Sequence, residues 1–209
     1  MQDYYAARAP EYDRVYAKPE RQADLRRMES WLPTVLADRS VLELACGIGY
    51  WTRFYAPSAH RVVALDSSPE TLNIARGRVP SNVRLLTGDA YRPAQAGVDF
   101  DGAFAGFWWS HIPLQRVAVF LERLHAVLRP GARVVFMDNR FVPGSSTPLA
   151  ERTAEGDTYQ QRTLDDGSTH RVLKNFPTPD FLLGTVEPHA AVARYHQWTH
   201  FWALDYTLK

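Results

Sequence analysis

Val41-Leu-Glu-Leu-Ala-Cys-Gly-Ile-Gly-Tyr-Trp-Thr52 decides how the rest of the chain is read. Val41, Leu42 and Leu44 form a short apolar run with β-branched character, and Gly47 and Gly49 break it. The pattern predicts a buried parallel strand running into a tight loop, followed by a helix. Backbone without Cβ atoms can turn sharply and lie against a ligand, and the next helix offers unpaired N–H groups at its start, so the loop suits a nucleotide-like molecule. On its own, G-x-G is equally an ordinary strand-to-helix turn. Glu43 is the anomaly: a carboxylate in a strand covered on both faces is costly unless it has partners, so it must be paired or solvated at the site.

Arg61-Val-Val-Ala-Leu-Asp66 is a second strand of the same kind, and Ser67-Ser-Pro-Glu70 supplies an N-cap serine and a proline at the first helical position. Asp66 then sits at the carboxyl end of a strand, where the acid of a doubly wound sheet accepts the hydroxyls of a ribose. Its spacing from Gly47 is close to the roughly twenty residues expected of such an acid. A nicotinamide or flavin dinucleotide needs a third glycine, and that position is Thr52, with the bulky Tyr50 and Trp51 before it. Glu43 would also repel a pyrophosphate. An acid just before the loop suits a cationic ligand, and the cofactor that combines adenosine, an amine and a positive sulfur is S-adenosylmethionine.

At Glu43-Leu-Ala-Cys-Gly-Ile-Gly49 the sequence resembles the class I S-adenosylmethionine-dependent methyltransferases, in their first motif. The similarity runs from about Tyr12 through Met137 and thins out afterwards. It implies an α/β fold: a doubly wound, Rossmann-like, mostly parallel seven-stranded sheet with helices on both faces and a C-terminal antiparallel hairpin. S-adenosyl-L-methionine would be the donor and S-adenosyl-L-homocysteine the product. By the same resemblance, Tyr12-Asp13 belongs to an N-terminal lid that folds over the cofactor together with Tyr16, and Arg21 meets the carboxylate of its methionine part. Gly88-Asp89-Ala90 becomes the adenine contact, Asp89 accepting the exocyclic amine and the Ala90 backbone meeting a ring nitrogen. The backbone of Ala45, Gly47 and Gly49, the Asp66-Ser67 pair and Phe107 complete the expected cofactor contacts.

At 209 residues with a formal net charge of +1, the chain reads as one domain, 1–209, without a linker or an electrostatic footprint for nucleic acid. The single cysteine, Cys46, cannot form an intrachain disulfide and reads as a small buried residue. With no signal-like start and no long apolar span, a soluble cytoplasmic protein is expected. No metal-ligand spacing is present, and the seven histidines are dispersed.

Residues 1–32 read as a helical lid, its first part carrying Tyr4, Tyr5, Tyr12 and Tyr16, its second a helix from Glu20 to Trp31 that stops at Pro33. Val83 to Thr87 is a third strand and Phe100 to Phe107 a fourth. Leu114, Val117, Leu121, Leu124 and Leu128 form the apolar stripe of the next helix, opened by Pro113 and ended by Arg129-Pro-Gly131. Ala132 to Met137 is the fifth strand. Residues 141–178 read as a hairpin insertion around Asp165-Asp-Gly-Ser168, either over the active site or extending the sheet. Pro179 opens a short helix, and Val192 to Trp198 with Phe201 to Leu208 form a closing antiparallel pair.

Ligands of open α/β sheets bind beyond the carboxyl ends of the strands. If the first three strands hold the cofactor, the acceptor faces the ends of the fourth and fifth. That position nominates Trp108, Trp109, His111, Asp138, Asn139 and Arg140, with Tyr4 and Tyr5 from the lid. His111 is the first choice for a general base and Asp138 the second. The aromatic residues suit an aromatic or cationic small-molecule acceptor. Two rival functions stand beside methyl transfer: a non-catalytic S-adenosylmethionine-binding regulatory module and an NAD-binding oxidoreductase.

Overall fold

The computed structural model describes residues 16–209, so the expectations placed on Tyr4, Tyr5, Tyr12 and Asp13 lie outside the described residues. Five parallel strands, β1 (Ser40–Leu44), β2 (Arg61–Asp66), β3 (Val83–Thr87), β4 (Phe100–Gly106) and β5 (Leu128–Asn139), form most of one sheet. Two further strands, β9 (Ala190–Gln197) and β10 (Phe201–Leu208), close it antiparallel to β5 and to each other. The order is β3-β2-β1-β4-β5-β10-β9. Strand order reverses between β1 and β4, and the crevice at that reversal is where such sheets bind ligands.

Two apolar layers cover the sheet, and the period of two along each strand assigns alternate side chains to them. Val41, Val62, Ala64, Phe104 and Val135 meet Leu25, Met28, Leu32 and Leu36 of helix α1 (Gln22–Leu36). Leu42, Val63, Leu65, Ala103 and Phe136 meet Phe120, Leu121 and Leu124 of α4 (Val117–His125), with Leu182 and Val186 of α5 (Pro179–Val186) in the same layer. The remaining α-helices among the described residues are α2 (Thr52–Tyr55) and α3 (Pro69–Arg76). The N-cap of α3 is Ser68, whose side chain accepts from the Thr71 N–H, with Pro69 next to it.

Several boundaries differ from the sequence expectation for local reasons. Helix α1 runs through Pro33 to Leu36. The proline removes one N–H close to the helix end, while Leu32 and Leu36 are both fully buried. The helix after the glycine loop is a single turn, because Pro57 has no N–H to continue it and the chain passes into a 3-10 turn at Ala56–Ser58. Leu128 belongs to β5, where it pairs with Phe100 ahead of a register shift; helix α4 has ended at His125, and Leu114 lies in the 3-10 turn that precedes it.

The insertion does not extend the main sheet. Strands β6 (Glu151–Arg152), β7 (Thr158–Thr163) and β8 (Thr169–Leu173) form a separate antiparallel sheet whose last strand packs on the 3-10 turn Trp109–His111 after β4. It therefore stands over the carboxyl ends of β4 and β5. No helix among the described residues is long and apolar enough to cross a membrane.

Trp109 corrects a pocket assignment. It is 1% exposed and sits edge-on to Phe136 at 4.9 Å and to Trp202 at 6.3 Å between ring centroids, inside the core. Large-to-small substitution there removes packing that cannot collapse into place. Trp109→Ala should lower the unfolding free energy by about 3–5 kcal/mol in denaturant titrations, and a loss below about 1 kcal/mol would return Trp109 to the pocket.

Candidate active site

The loop between β1 and α2 has positive φ at Ala45, Gly47 and Gly49. Glycine is required at 49 twice over, since a Cβ there would stand 2.9 Å from Val79 Cγ1 and 3.3 Å from Ala75 Cβ. The loop is tied to β2 by backbone and side chain: Cys46 N–H donates to the Leu65 carbonyl at 3.0 Å, and Gly47 N–H donates to Asp66 Oδ2 at 2.8 Å. Asp66 Oδ1 accepts from Ser68 N–H at 2.9 Å and from Thr71 Oγ1 at 3.2 Å. Burial raises the Asp66 carboxyl above its ordinary range, and the bonds from Ser68 and Gly47 hold it back. Oδ2 accepts from Gly47 among the described residues, and a carboxylate oxygen with one such bond keeps capacity for a ligand hydroxyl. Ser67 beside it is exposed. Cys46 is buried and its thiol is pushed up by burial, as a structural cysteine is.

Glu43 is 2% exposed and is paired rather than solvated. Thr52 Oγ1 and the Tyr55 hydroxyl both donate to its Oε2 at 2.8 Å. Thr52, in the place a dinucleotide fold gives to glycine, thus has a positive task that its spacing did not announce. Burial raises the Glu43 carboxyl to about 7, against the two hydroxyl bonds, and Asp66 adds to the rise. The sign follows: what the neutral acid contributes to stability is fully present below its ordinary 4.5 and is lost as pH rises through about 7.

Aromatic rings line the loop. Tyr16 stacks on Tyr50 at 3.6 Å and meets Phe107 edge-on, and Phe107 stacks on Trp51 at 5.8 Å. Phe107 has φ 59 and donates its N–H to the Met137 carbonyl, which turns the chain at the end of β4. The Trp51 indole Nε1 is buried with no hydrogen-bond partner among the described residues. Beyond β3, Asp89 is exposed and its Oδ1 accepts from Tyr91 N–H at 2.9 Å, so the Gly-Asp pair is a side-chain-capped turn. The Ala90 methyl belongs to the core, which leaves only its backbone for a ligand.

On the other side of the switch point, the expected base residues have other duties. Asp138 is fully buried and accepts from Lys174 Nζ at 2.8 Å, Ser110 N–H at 2.9 Å and Asn139 N–H at 2.7 Å. Burial alone would raise this acid; the Lys174 ammonium and the bonds from Lys174 and Ser110 outweigh it and hold the carboxyl below its ordinary range. A carboxylate so stabilised is a poor proton acceptor. The His111 ring is buried with Nδ1 2.6 Å from the Leu173 carbonyl, so Nδ1 carries the hydrogen. Burial and then Lys174 drive its pKa well below 6.5, which makes it neutral and weakly basic. It pins β8 to the end of β4.

Arg21 and Arg140 are also engaged by the protein. The Arg21 guanidinium bonds Asn139 Oδ1 at 3.2 Å and the Ser145 hydroxyl and carbonyl, and lies over the Phe201 ring. Arg140 bonds the carbonyls of Trp198 and Thr199 in the turn between β9 and β10. Asn139 links the two sides by accepting from Arg21 and donating to Asp138 at 3.1 Å. Trp108 stays half-buried and edge-on to Tyr91, its indole Nε1 without a partner among the described residues. Sequence analysis missed Lys174, Ser110 and Ser145. Nothing local marks a lysine at a strand end as the counter-ion of an acid 36 residues earlier.

Lys174 is only 3% exposed, so removing its ammonium strands a buried carboxylate. Lys174→Met should cost about 3–5 kcal/mol of stability, and adding Asp138→Asn should recover most of the loss. A single variant as stable as the parent would show that the pair is solvated.

Residues 41–131 match the family described as Methyltransferase domain. A malonyl-acyl-carrier-protein O-methyltransferase of Serratia marcescens is 32% identical over 133 residues, 62% of this chain and 46% of that protein, so the chain spans about half the length of this relative. Among solved structures, a DhpI–SAH complex is 28% identical with a TM-score of 0.76, covering 98% of this chain and 93% of that one. A DhpI–SAM–HEP complex is 29% identical with a TM-score of 0.75, covering 97% and 94%. Strand order, glycine loop and paired acids thus accompany a methyltransferase-domain match over residues 41–131, on a fold that the chain shares with both DhpI complexes.

Proposed function

We propose that this protein transfers the methyl group of S-adenosylmethionine to a small-molecule acceptor held between the ends of β4 and β5 and the second sheet. One observation carries the reading: a backbone cradle in which Gly47 N–H donates to Asp66 Oδ2 beside a buried acid that meets no cation among the described residues. That donor set fits the cofactor, with a carboxylate for ribose hydroxyls, and an acid and an indole N–H that no described residue bonds for a charged amino-acid arm. Gly47, Gly49 and Asp66 would hold the adenosine, Asp89 and the Ala90 backbone its base, and Glu43 and Trp51 the arm. When bound, the cofactor supplies an electrophilic methyl group on a positive sulfur.

The chain's own contribution is alignment and dryness. Holding two reactants in line removes several kcal/mol of barrier, and the second sheet, pinned by His111 and by the Asp138–Lys174 pair, keeps water from the carboxyl edge. Neither His111 nor Asp138 is a strong proton acceptor here. The site therefore suits an acceptor whose attacking atom already has a free lone pair at neutral pH. Half-buried Trp108 and Phe107 at the end of β4 support an aromatic or cationic molecule.

Calorimetry should show S-adenosylhomocysteine binding, and Asp66→Ala should weaken it about tenfold or more through lost charge-assisted hydrogen bonds. An acceptor screen that reads S-adenosylhomocysteine release should then find turnover. Binding with no methyl transfer to any acceptor would make the protein a cofactor-binding module, and preference for NAD would overturn the assignment. For the folded His111→Ala protein, cofactor affinity should be unchanged and the rate within about tenfold of the parent; a loss of roughly 10²–10⁴ would restore the histidine as base.

A further inference from the structure

Glu43 is an acid sealed into the sheet without a counter-charge among the described residues. Both hydroxyls that reach it, from Thr52 and Tyr55, donate to Oε2, and no described residue bonds Oε1. Its neighbours in β2 and β4 are Ala64 and Phe104, which are apolar. Among the described residues, the titratable groups around it are Asp66 at the end of β2, the Cys46 thiol of the loop and the Tyr55 phenol of α2, and none is a cation. An ionised carboxylate in that setting is unfavourable, whereas a neutral acid keeps both hydroxyl bonds on Oε2 and carries its proton on Oε1. A cation arriving at the loop reverses the balance, since charge attraction is strong where water is excluded.

We propose that Glu43 is a proton-linked counter-ion for the ligand of the glycine loop. It holds its proton while the loop is free and releases it to solvent when a ligand with a positively charged amino-acid arm binds, so affinity falls as the medium acidifies. This rests on the assignment of the loop to S-adenosylmethionine and its product. The sign is fixed by linkage: the free protein binds the proton and the complex does not, so proton and ligand compete. With the free acid titrating at about 7, affinity should be nearly level above pH 8 and should drop about tenfold between pH 8 and pH 6.

The test uses the whole chain, titrated calorimetrically between pH 6 and pH 8 in two buffers of different protonation heat. The ligands are S-adenosylmethionine, S-adenosylhomocysteine and 5′-methylthioadenosine, which keeps the adenosine and sulfur but lacks the arm. Both ligands that carry the arm should release close to one proton at pH 6 and little at pH 8, and 5′-methylthioadenosine none at either. Asp66 would act on all three alike, so the contrast between ligands isolates Glu43. Glu43→Gln should make S-adenosylhomocysteine binding level across the range. Thr52→Val, which removes a bond that favours the carboxylate, should move the midpoint of the pH dependence upward, and it decides the matter where Glu43→Gln does not fold. Level affinity for S-adenosylhomocysteine in the parent protein, an equal slope for 5′-methylthioadenosine, or a slope that survives in Glu43→Gln would each overturn the proposal and leave the cofactor assignment standing. Failure of all three ligands to bind would overturn both.

Discussion

A sheet covered on both faces has no place for an unanswered carboxylate, and that constraint organises this molecule. Three acids stand at or next to the carboxyl ends of parallel strands, Glu43 on β1, Asp66 on β2 and Asp138 on β5. Each is answered by different chemistry. Hydroxyls answer Glu43, backbone N–H groups answer Asp66, and an ammonium answers Asp138. The answers set the charge states. Hydroxyls do not offset burial, and Glu43 is driven up; N–H donors offset it in part at Asp66; an ion pair with added hydrogen bonds reverses it at Asp138. Chemically similar groups at equivalent places on one sheet therefore have distinct uses.

The fold was largely legible because its signals are local. Buried parallel strands write continuous apolar runs, and the prolines and glycines between them mark the turns, so β1, β2 and β3 fall where the sequence places them. Helix ends were less legible. Pro33 is a breaker by its own chemistry, yet the burial of Leu36 on the far side overrides it, and no local pattern reports that burial. The start of β5 failed for the same reason, since Leu128 continues a helical stripe in sequence but pairs with Phe100 in space.

Side-chain roles were the least legible part of the site. Position at a strand end was right for His111 and Asp138, but a role depends on what the group touches, and both touch parts of the second sheet that lie more than thirty residues away. Tryptophan has the same ambiguity. Trp108 and Trp109 are neighbours of one chemistry, and a single step along the backbone sends one to the rim and the other into the core. Arg21 resembles a free cation in sequence, and in space its donors meet Asn139 and Ser145.

The buried pair between β5 and the end of β8 also decides how the cover behaves. Lifting the second sheet would separate Lys174 from Asp138 and the His111 ring from the Leu173 carbonyl in one movement, against several kcal/mol for the charges alone. Such a sheet is a wall and not a door. Its position over the ends of β4 and β5 is therefore set by two polar anchors, one to the acid of β5 and one to the turn after β4, and the loss of either leaves the other to hold it.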